Sequence, residues 1–521
     1  LSKEVINFGD VSIELPAKKS SRILEINNTS ETPVPYLLFG CETNGLFQLS
    51  PAAGVLTPRQ PAYVHMEFSP TQPGNYYRRV YLLLLNAKPM AVDLIGSGYN
   101  DKRRPLPIQP RFVTEYLLRE ARGLHRLSPE ELQMRADAKS AAIEIGDEPP
   151  DEDDDALADP DVRDQSAISE PSGETALMSG LFRGSAWRHG AVHLEEDYMD
   201  FGAGSRLRPS EQKTVRLTNR TNGKLSVLWH VPSHYTNGGP KDQAAPVFAI
   251  TPSQIDVLPN STATFKLQFR PQSDQQYYVQ TLECFCTFKS MRTFRLVSEA
   301  NFALPWCLPL TATGDSFARG AEQFIPRGIL SHRLLTFPAV HVGDSAFQTI
   351  SIKNDNDTPM FFAISQENMT SSAFQVLPPV GLVPAGKTQL LAVRFAPTEA
   401  SRSHKTATIV LNNDPGAALS LVLVGTGCRA SLTMPQKIFC PTACVGASSV
   451  ARMTVTNPSR LPLAYEWDVP DRLRAQLSVD HPAGVLRGRE SIDLTWSFAP
   501  SAERNYLVKV PCLVSALDMM G

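Results

Sequence analysis

A strand pattern that closes in Phe-x-Pro occurs four times along this chain of 521 residues. The copies read VHMEFSP, FKLQFRP, LAVRFAP and LTWSFAP, and their landmarks are Phe68/Pro70, Phe269/Pro271, Phe395/Pro397 and Phe498/Pro500. Apolar and polar residues alternate through each copy, so that one face of the strand is apolar and the other is polar. Recurrence at domain-sized spacing predicts a tandem array rather than one large fold.

A second element, apolar-x-apolar-x-Asn, precedes each Phe-x-Pro strand and predicts a strand that ends in a turn. Its asparagines are Asn28, Asn219, Asn354 and Asn457. Three copies then finish in an apolar strand that leads to Gly96/Gly98, to Gly314 or to Gly425/Gly427. A matching glycine in the fourth copy would fall beyond Gly521. We therefore expect the fourth domain to lack its final strand.

Units of about 100 residues with short alternating strands are typical of a seven-stranded sandwich. The predicted fold class is all-β, with four tandem immunoglobulin-like β-sandwiches, the last truncated, and one helical and acidic linker. The predicted domains are residues 1–100, 187–318, 319–428 and 429–521, and the second contains insertions. The long stretch from Pro271 to Gly314 in the second domain is the surface that we expect to be most partner-specific.

Residues 101–186 break the repeat and are predicted to form the linker. Phe112, Val113 and Tyr116 begin an amphipathic stripe, and Ser128 with Glu131 fits a capping box, so helices are predicted over about residues 112–142. Nine acidic residues and no basic ones lie in 147–161, which predicts disorder over about 147–175.

The linker has two interpretations. The acidic run is either a solvated tether or a tail that contacts a basic partner surface and regulates docking. Short connections elsewhere predict that domains two to four form a semi-rigid rod, while the linker would let domain one swing.

Candidate chemical sites are few. The pairs with helical metal-ligand spacing are His189/His193 and His230/His234, but the first pair lies at the linker end and the second spans Pro232. Cys284/Cys286 and Cys440/Cys444 lack the Cys-x-x-Cys spacing of a zinc site, and the first pair is read as two core residues of one strand. We predict no catalytic, cofactor-binding or metal residues, no cofactor and no enzymatic activity.

Tryptophans were considered as pocket residues and are interpreted mainly as core. Trp229, Trp467 and Trp496 occupy strand positions, whereas Trp306 lies in the insertion of the second repeat and could contact a neighbour.

Charge and cysteine content limit the partners and the compartment. A net charge of −3 provides no global basic field, so nucleic acid is not an expected partner. Eight irregularly spaced cysteines favour free thiols in a reducing compartment, and the glycosylation-like sequons at Asn28, Asn260 and Asn368 are then read as chance. No apolar run is long enough for a membrane helix. The chain begins at Leu1 without a secretory leader, which suggests a segment of a longer protein.

Together these motifs resemble the ASH and MSP class of immunoglobulin-like domains, which recur in tandem in Hydin and in other cilia- and flagella-associated proteins of the axonemal central apparatus. The residues that carry the resemblance include Phe8-Gly9, Phe201-Gly202, Phe337 and Phe439 at the start of the repeats, followed by the Asn, Phe-x-Pro and Gly motifs above.

The resemblance implies a non-enzymatic scaffold in the cytoplasm and cytoskeleton, within the axoneme of a cilium or flagellum. Its expected partners are other axonemal proteins, bound through strand edges, loops and the 101–186 linker, and microtubules directly or indirectly. The alternative is a centrosomal or trafficking adaptor that binds peptides through its ASH/MSP domains.

Overall fold

The structure is a computed structural model that describes residues 4–14, 20–41, 45–85, 87, 89–121, 124–145, 190–232, 246–292, 302–317, 326–365 and 373–516. The acidic run 147–161 and all of residues 234–243, an insertion of the second domain, lie outside these ranges, as do His189 and Asn368.

Domain one is a sandwich of eight strands. They are β1 (Val5–Ser12), β2 (Ser20–Asn27), β3 (Val34–Phe39), β4 (Phe47–Ser50), β5 (Ala53–Leu56), β6 (Pro61–Phe68), β7 (Gly74–Leu84) and β8 (Met90–Tyr99). A five-stranded sheet, β1-β8-β7-β3-β5, faces a three-stranded sheet, β2-β6-β4. Strand β1 runs parallel to β8, whereas the other pairs are antiparallel.

A helical segment follows domain one. It comprises α1 (Pro110–Ala121), a 3₁₀ turn (Leu124–Arg126) and α2 (Pro129–Ile145). The predicted capping box is present: the Ser128 backbone N–H donates to Glu131 Oε2 at 2.8 Å, and the Glu131 N–H donates to Ser128 Oγ at 3.3 Å. The two reciprocal bonds satisfy N–H groups that the first helical turn leaves without partners.

Domains two and three repeat the architecture of domain one with an extra edge strand in the smaller sheet. Domain two contains β9 (Val192–Leu194), β10 (Tyr198–Ala203), β11 (Lys213–Asn219), β12 (Leu225–His230), β13 (Phe248–Thr251), β14 (Gln254–Val257), β15 (Ser261–Phe269), β16 (Tyr277–Phe288), a 3₁₀ turn (Lys289–Arg292) and β17 (Trp306–Asp315). Domain three contains β18 (Gly328–Leu330), β19 (Leu334–His341), β20 (Ala346–Asn354), β21 (Met360–Ile364), β22 (Phe374–Leu377), β23 (Val380–Val383), β24 (Thr388–Phe395), β25 (Arg402–Leu411) and β26 (Asp414–Cys428). Their five-stranded sheets are β10-β17-β16-β12-β14 and β19-β26-β25-β21-β23.

Domain four has two three-stranded sheets, β27-β31-β29 and β30-β28-β32. Its strands are β27 (Ser449–Thr456), β28 (Leu463–Trp467), β29 (Leu477–Val479), β30 (Ala483–Leu486), β31 (Ser491–Phe498) and β32 (Cys512–Ala516), with a 3₁₀ turn at Asp471–Leu473. Strand β32 occupies the place of β25, and no counterpart of β26 occurs up to Ala516, where the described part of this domain ends. The immunoglobulin-like fold class is confirmed, and the truncation of the last domain stays a prediction.

The repeated asparagine holds a turn together from inside. Asn219 is fully buried, its Nδ2 donates to the carbonyls of Gly223 and Leu258 at 3.0 and 2.9 Å, and its Oδ1 accepts the Thr221 N–H at 2.9 Å. Equivalent bonds form at Asn28, Asn354 and Asn457. One side chain thus binds three backbone groups of two neighbouring turns.

The repeated glycine leaves room for the repeated phenylalanine. A Cβ atom on Gly96 would lie 2.6 Å from a ring carbon of Phe68. The corresponding distance from Gly314 to Phe269 is 2.8 Å and that from Gly425 to Phe395 is 2.6 Å. These two motifs are therefore two sides of one contact across the sandwich.

Phe439, which the sequence places with Phe8, Phe201 and Phe337 at the start of the repeats, does not take the place of Phe337 in the structure, since its side chain is 86% exposed. A glycine with positive φ follows this position in both domains, Gly343 in domain three and Gly446 in domain four. Phe337 precedes Gly343 by as many residues as Cys440 precedes Gly446, so Cys440 is the counterpart of Phe337. A shift of one residue moves a strand residue to the opposite face. The segment is also not a strand, because the described part of domain four lacks the parallel partner that β1, β10 and β19 have.

Candidate functional site at the domain junctions

Domain two closes one end of the core of domain one. Phe285 projects from the face of β16 that points away from the core of domain two, is 2% exposed and packs within the hydrophobic cluster of domain one. Its ring meets Tyr76 edge to face, with the ring centroids 5.1 Å apart. An aromatic from one domain thus completes the core of another.

A buried ion pair lies beside Phe285. Arg78 of β7 is 8% exposed, Glu283 of β16 is fully buried, and Arg78 Nε lies 3.7 Å from Glu283 Oε1. Arg78 also donates to the Gly40 carbonyl at 2.5 Å and, through Nη1, to the Sγ atom of Cys307 at 2.9 Å. The guanidinium therefore binds one group of its own domain and two of domain two.

Burial and mutual attraction act against each other in this cluster. Burial raises the pKa of the Glu283 carboxyl, and the neighbouring Arg78 lowers it without cancelling the rise. Burial likewise raises the pKa of the Cys307 thiol to about 12, against the lowering effect of Arg78. Burial acts to lower the pKa of Arg78, but the Cys307 and Glu283 groups raise it above its ordinary value. The attraction between Arg78 and Glu283 therefore does not offset the whole cost of burying the carboxylate.

The helical segment is wedged between the first two domains. Phe112 of α1 stacks on Phe302 of domain two, with centroids 4.2 Å apart, and Arg119 Nη1 donates to the Phe302 carbonyl at 2.6 Å. Tyr116 meets Tyr77 of β7 edge to face at 6.2 Å. The predicted apolar stripe of α1 therefore packs against both domain one and domain two.

The turn before α2 contacts domain two as well. Asn222 Nδ2 donates to both carboxylate oxygens of Glu131, at 2.9 and 3.1 Å, and the Asn222 N–H donates to the Arg126 carbonyl at 3.0 Å. The residue that closes the capping box is thus also bound by a turn of domain two.

Domain one also packs against domain three. Tyr81 and Leu83, on the outer face of β7, form a cluster with Phe347 and Ala392, and all four side chains are at most 6% exposed. Tyr277 of domain two stacks on Phe361 of domain three at 6.2 Å, and its hydroxyl donates to the Asn412 carbonyl at 3.1 Å. Domains one, two and three therefore contact one another pairwise.

This packing overturns the prediction that domain one swings on a tether beside a rod of domains two to four. Tyr77, Tyr81 and Leu83 on the outer face of β7 would be costly to leave in water, and the helical segment and domain three cover them. Domain four differs, because no hydrophobic cluster of the described residues joins it to domain three.

The histidine and cysteine pairs that sequence spacing singled out do not form a common site. His193 is buried on β9 and His230 lies on β12, which belong to opposite sheets of domain two. Cys284 and Cys286 are fully buried in the core of domain two with their Sγ atoms 3.8 Å apart. Cys440 lies in a non-strand segment that also contains Cys444, which is exposed. No group of three or more His, Cys, Asp or Glu residues that could hold a metal occurs in the described parts of the chain.

The structure places the tryptophans in the domain interiors. Trp229 and Trp496 are at most 4% exposed, and Trp467 meets Trp496 edge to face at 5.2 Å. Trp306 packs on Phe288 of its own domain at 5.3 Å, not on a neighbouring domain.

Sequence reasoning missed the junction residues Arg78, Glu283, Phe285 and Tyr81. One signal was present: Glu283 interrupts the apolar run Leu-Glu-Cys-Phe-Cys, where both faces of the strand are otherwise uncharged. A charge in such a strand indicates a buried partner on the outer face.

Two family models match the chain. The fourth Ig-like domain of CFAP65 matches residues 5–102 and 334–431, and the seventh Ig-like domain of CFAP65 matches residues 430–520. The Cilia- and flagella-associated protein 65 of Chlamydomonas reinhardtii is 36% identical over 99% of the chain. The chain belongs to the tandem immunoglobulin-like, cilia- and flagella-associated family.

The human protein of the same name is 27% identical over 97% of the chain. The chain spans 22% of the length of the algal relative and 25% of that of the human relative. A solved ASH/PapD-like domain of human CEP192 is 12% identical, with a TM-score of 0.19, and covers 24% of this chain and 84% of its own. Neither α1 nor α2, as described, is long and apolar enough to cross a lipid bilayer.

Proposed function

We propose that this chain is a non-enzymatic structural scaffold of the ciliary or flagellar axoneme, in a central-apparatus projection that motility requires. The observation that carries the proposal is the pairwise packing of domains one, two and three through buried side chains such as Phe285, Arg78 and Tyr81. Such packing gives one stiff body, and stiffness is what a projection needs to transmit force.

The family adds the cellular setting. The curated relatives are named for association with cilia and flagella, and they match nearly the whole chain. The buried polar groups found at the junctions serve domain contacts: Arg78 binds a carbonyl of its own domain and a thiol and a carboxylate of domain two.

The partners that we propose are other axonemal proteins, bound through strand edges, loops and the 101–186 linker, with microtubules contacted directly or through those proteins. Strands at the sheet edges, such as β2 and β5 of domain one, offer the hydrogen-bonding groups that strand addition uses. The localisation that follows is the cytoplasm, the cytoskeleton and the axoneme.

Fractionation of flagella from a motile alga tests the proposal. The chain, tagged within its full-length protein, should stay with axonemes after detergent and high-salt extraction, and a Phe285→Asp variant should lower beat frequency. Release of the unmodified protein by detergent alone would contradict the axonemal role. The matched control is Ile23→Asp, which places the same charge at a side chain that is already 55% exposed.

A further inference from the structure

One end of domain four carries three arginines on two loops that touch each other. Arg460 lies in the loop that follows β27, and Arg487 and Arg489 lie in the turn between β30 and β31. The Arg489 N–H donates to the Ser459 carbonyl at 3.0 Å, and a Cβ atom on Gly488 would lie 2.6 Å from the Arg460 carbonyl oxygen. Backbone contact thus holds the three side chains at one surface, which we name the arginine cluster.

The arginine cluster is exposed and its charge is not balanced. Within the part of the chain that the structure describes, none of the three guanidinium groups forms an ion pair or a hydrogen bond. One carboxylate lies in the same turn, where Glu490 Oε2 accepts the Arg487 N–H at 2.6 Å and is therefore bonded to the backbone. Three cations thus share the surface with one anion, and an additional anion would relieve their mutual repulsion.

Two members of the arginine cluster occupy positions that form an ion pair in domain one. Glu31 and Arg460 each follow the repeated asparagine by three residues. Arg59 and Arg489 are the residues with positive φ, 55° and 70°, in the turn before the Phe-x-Pro strand. In domain one, Arg59 Nη2 lies 2.6 Å from Glu31 Oε1. Because an arginine replaces this glutamate in domain four, the domain does not supply the carboxylate itself.

The corresponding residue of domain two binds a carboxylate from outside its domain. Asn222 follows the repeated asparagine Asn219 by three residues, and its Nδ2 donates to both carboxylate oxygens of Glu131, which belongs to α2. Asn222 offers one amide nitrogen, whereas an arginine offers two parallel N–H donors that match the two oxygens of a carboxylate. This turn position of the repeat is therefore placed to receive an acidic side chain from another segment.

We propose that the arginine cluster binds an acidic segment of a partner protein, whose carboxylates take the place that Glu31 and Glu131 have in domains one and two. The inference rests on the proposed scaffold function, because it names the chemistry of one partner contact. Two or three neighbouring Asp or Glu residues are enough to balance three guanidinium groups beside Glu490. A protein segment supplies carboxylates at this density.

The arginine cluster is too small for an extended polyanion. Anionic lipid surfaces are recognised by clusters of about four to eight Lys or Arg residues, and DNA-binding proteins commonly make about six to ten phosphate contacts. The net charge of −3 provides no wider basic field around the three arginines. A short acidic segment therefore fits the site better than a membrane or a nucleic acid does.

Fluorescence anisotropy with the whole chain tests the proposal. The probe is a labelled peptide that contains five consecutive glutamates, and its control is the same peptide with glutamines. At about 0.1 M salt the glutamate peptide should bind and the glutamine peptide should not, and binding should weaken as salt increases because exposed charges are screened. Arg489→Gln should lower the affinity roughly tenfold, the loss expected for one charge-assisted hydrogen bond.

Arg460→Glu gives domain four the ion pair that Glu31 and Arg59 form in domain one. The affinity for the glutamate peptide should fall at least about a hundredfold, because one donor is removed and Arg489 gains an internal partner. Thermal melting should match that of the unmodified chain, since Arg460 is exposed and exposed pairs contribute little to stability.

Arg452→Glu is the matched control. It makes the same change of charge at an exposed residue of β27, five residues before Asn457 and therefore roughly 15 Å along the strand from the turn. Charges more than about 10 Å apart are largely screened at 0.1 M salt, so this variant should change the affinity less than about twofold.

The proposal is overturned if the glutamate peptide does not bind, if Arg460→Glu leaves its affinity unchanged, or if Arg452→Glu lowers it as much. It is also overturned if phosphatidylserine vesicles or duplex DNA bind through Arg460 more tightly than the peptide does. Failure of the arginine cluster would leave the protein with salt-extracted axonemes. Failure of the scaffold function would release the protein from axonemes and leave peptide binding intact, so the two failures are distinguishable.

Discussion

Arg78 of domain one and Glu283 of domain two form an ion pair at 3.7 Å that is buried at the boundary between the two domains. Neither domain buries both charges by itself. The pair therefore ties the correct folding of each domain to the presence of the other, and it makes the junction sensitive to the loss of either partner.

Arg78→Met should destabilise the junction strongly. The change leaves the Glu283 carboxylate buried without its counter-charge, which typically costs about 3–5 kcal/mol. Urea unfolding of the whole chain measures the loss. The double variant Arg78→Met/Glu283→Leu should recover most of it, and additive losses in the double variant would contradict the assignment.

The pH dependence of the Arg78→Met variant follows from Glu283. Burial raises the pKa of this carboxyl above its ordinary 4.5, so the folded protein holds the proton more tightly than the unfolded chain does. The stability contributed by the proton is complete below pH 4.5 and is lost as pH rises through the raised pKa.

Removing Arg78 removes the influence that lowers the pKa of Glu283, so this loss becomes larger. Free energies of unfolding for Arg78→Met and Arg78→Met/Glu283→Gln should diverge as pH rises from 4.5. Parallel curves would show that Glu283 does not titrate as inferred.

Phe285→Ala should open the contact between domains one and two. Truncating a buried phenylalanine costs about 3–5 kcal/mol, and here the cavity would lie in the core of domain one. Small-angle X-ray scattering should show a larger radius of gyration. Phe265→Ala, within the core of domain two, is the control: it should lower stability without enlarging the particle.

Gly96→Ala should destabilise domain one by about 1–3 kcal/mol, because the added methyl group overlaps the Phe68 ring. Gly74→Ala is a matched change on the neighbouring strand, where an added Cβ meets no atom within 4 Å. Thermal unfolding compares the two. Equal losses of stability in the two variants would show that Gly96 is required for the conformation of its strand and not for its contact with the Phe68 ring.

Asn219→Ala should cost roughly 1–3 kcal/mol, because it leaves the buried Thr221 N–H without its acceptor and removes one donor from each of the Gly223 and Leu258 carbonyls. Asn27→Ala, at an exposed strand end, should cost little. Hydrogen exchange at Thr221 reports the turn directly, since its N–H is bound to the Asn219 side chain. Unchanged protection at Thr221 in the variant would contradict this role.

The sequence by itself determined the domains and their internal chemistry. Period-2 alternation marks which residues of a strand face the core, and Asn219 and the Phe68–Gly96 pair act within one domain. Their recurrence was visible because a repeat shows the same requirement several times, but the contacts that they make were not predicted. Phe439 differs from the first aromatics of the other copies where the match was weakest, in a segment that is not a strand.

Only the tertiary structure decided how the domains are arranged. Arg78, Glu283 and Phe285 lie in single strands whose local pattern does not say which other domain will cover them, and more than 200 residues separate Arg78 from Glu283. The repeat pattern does not predict the pairing of Arg78 with Glu283, because each junction between domains occurs only once and so leaves no recurring signal in the sequence. Complementary surfaces select the contact when the folded domains meet, and that complementarity exists only in three dimensions.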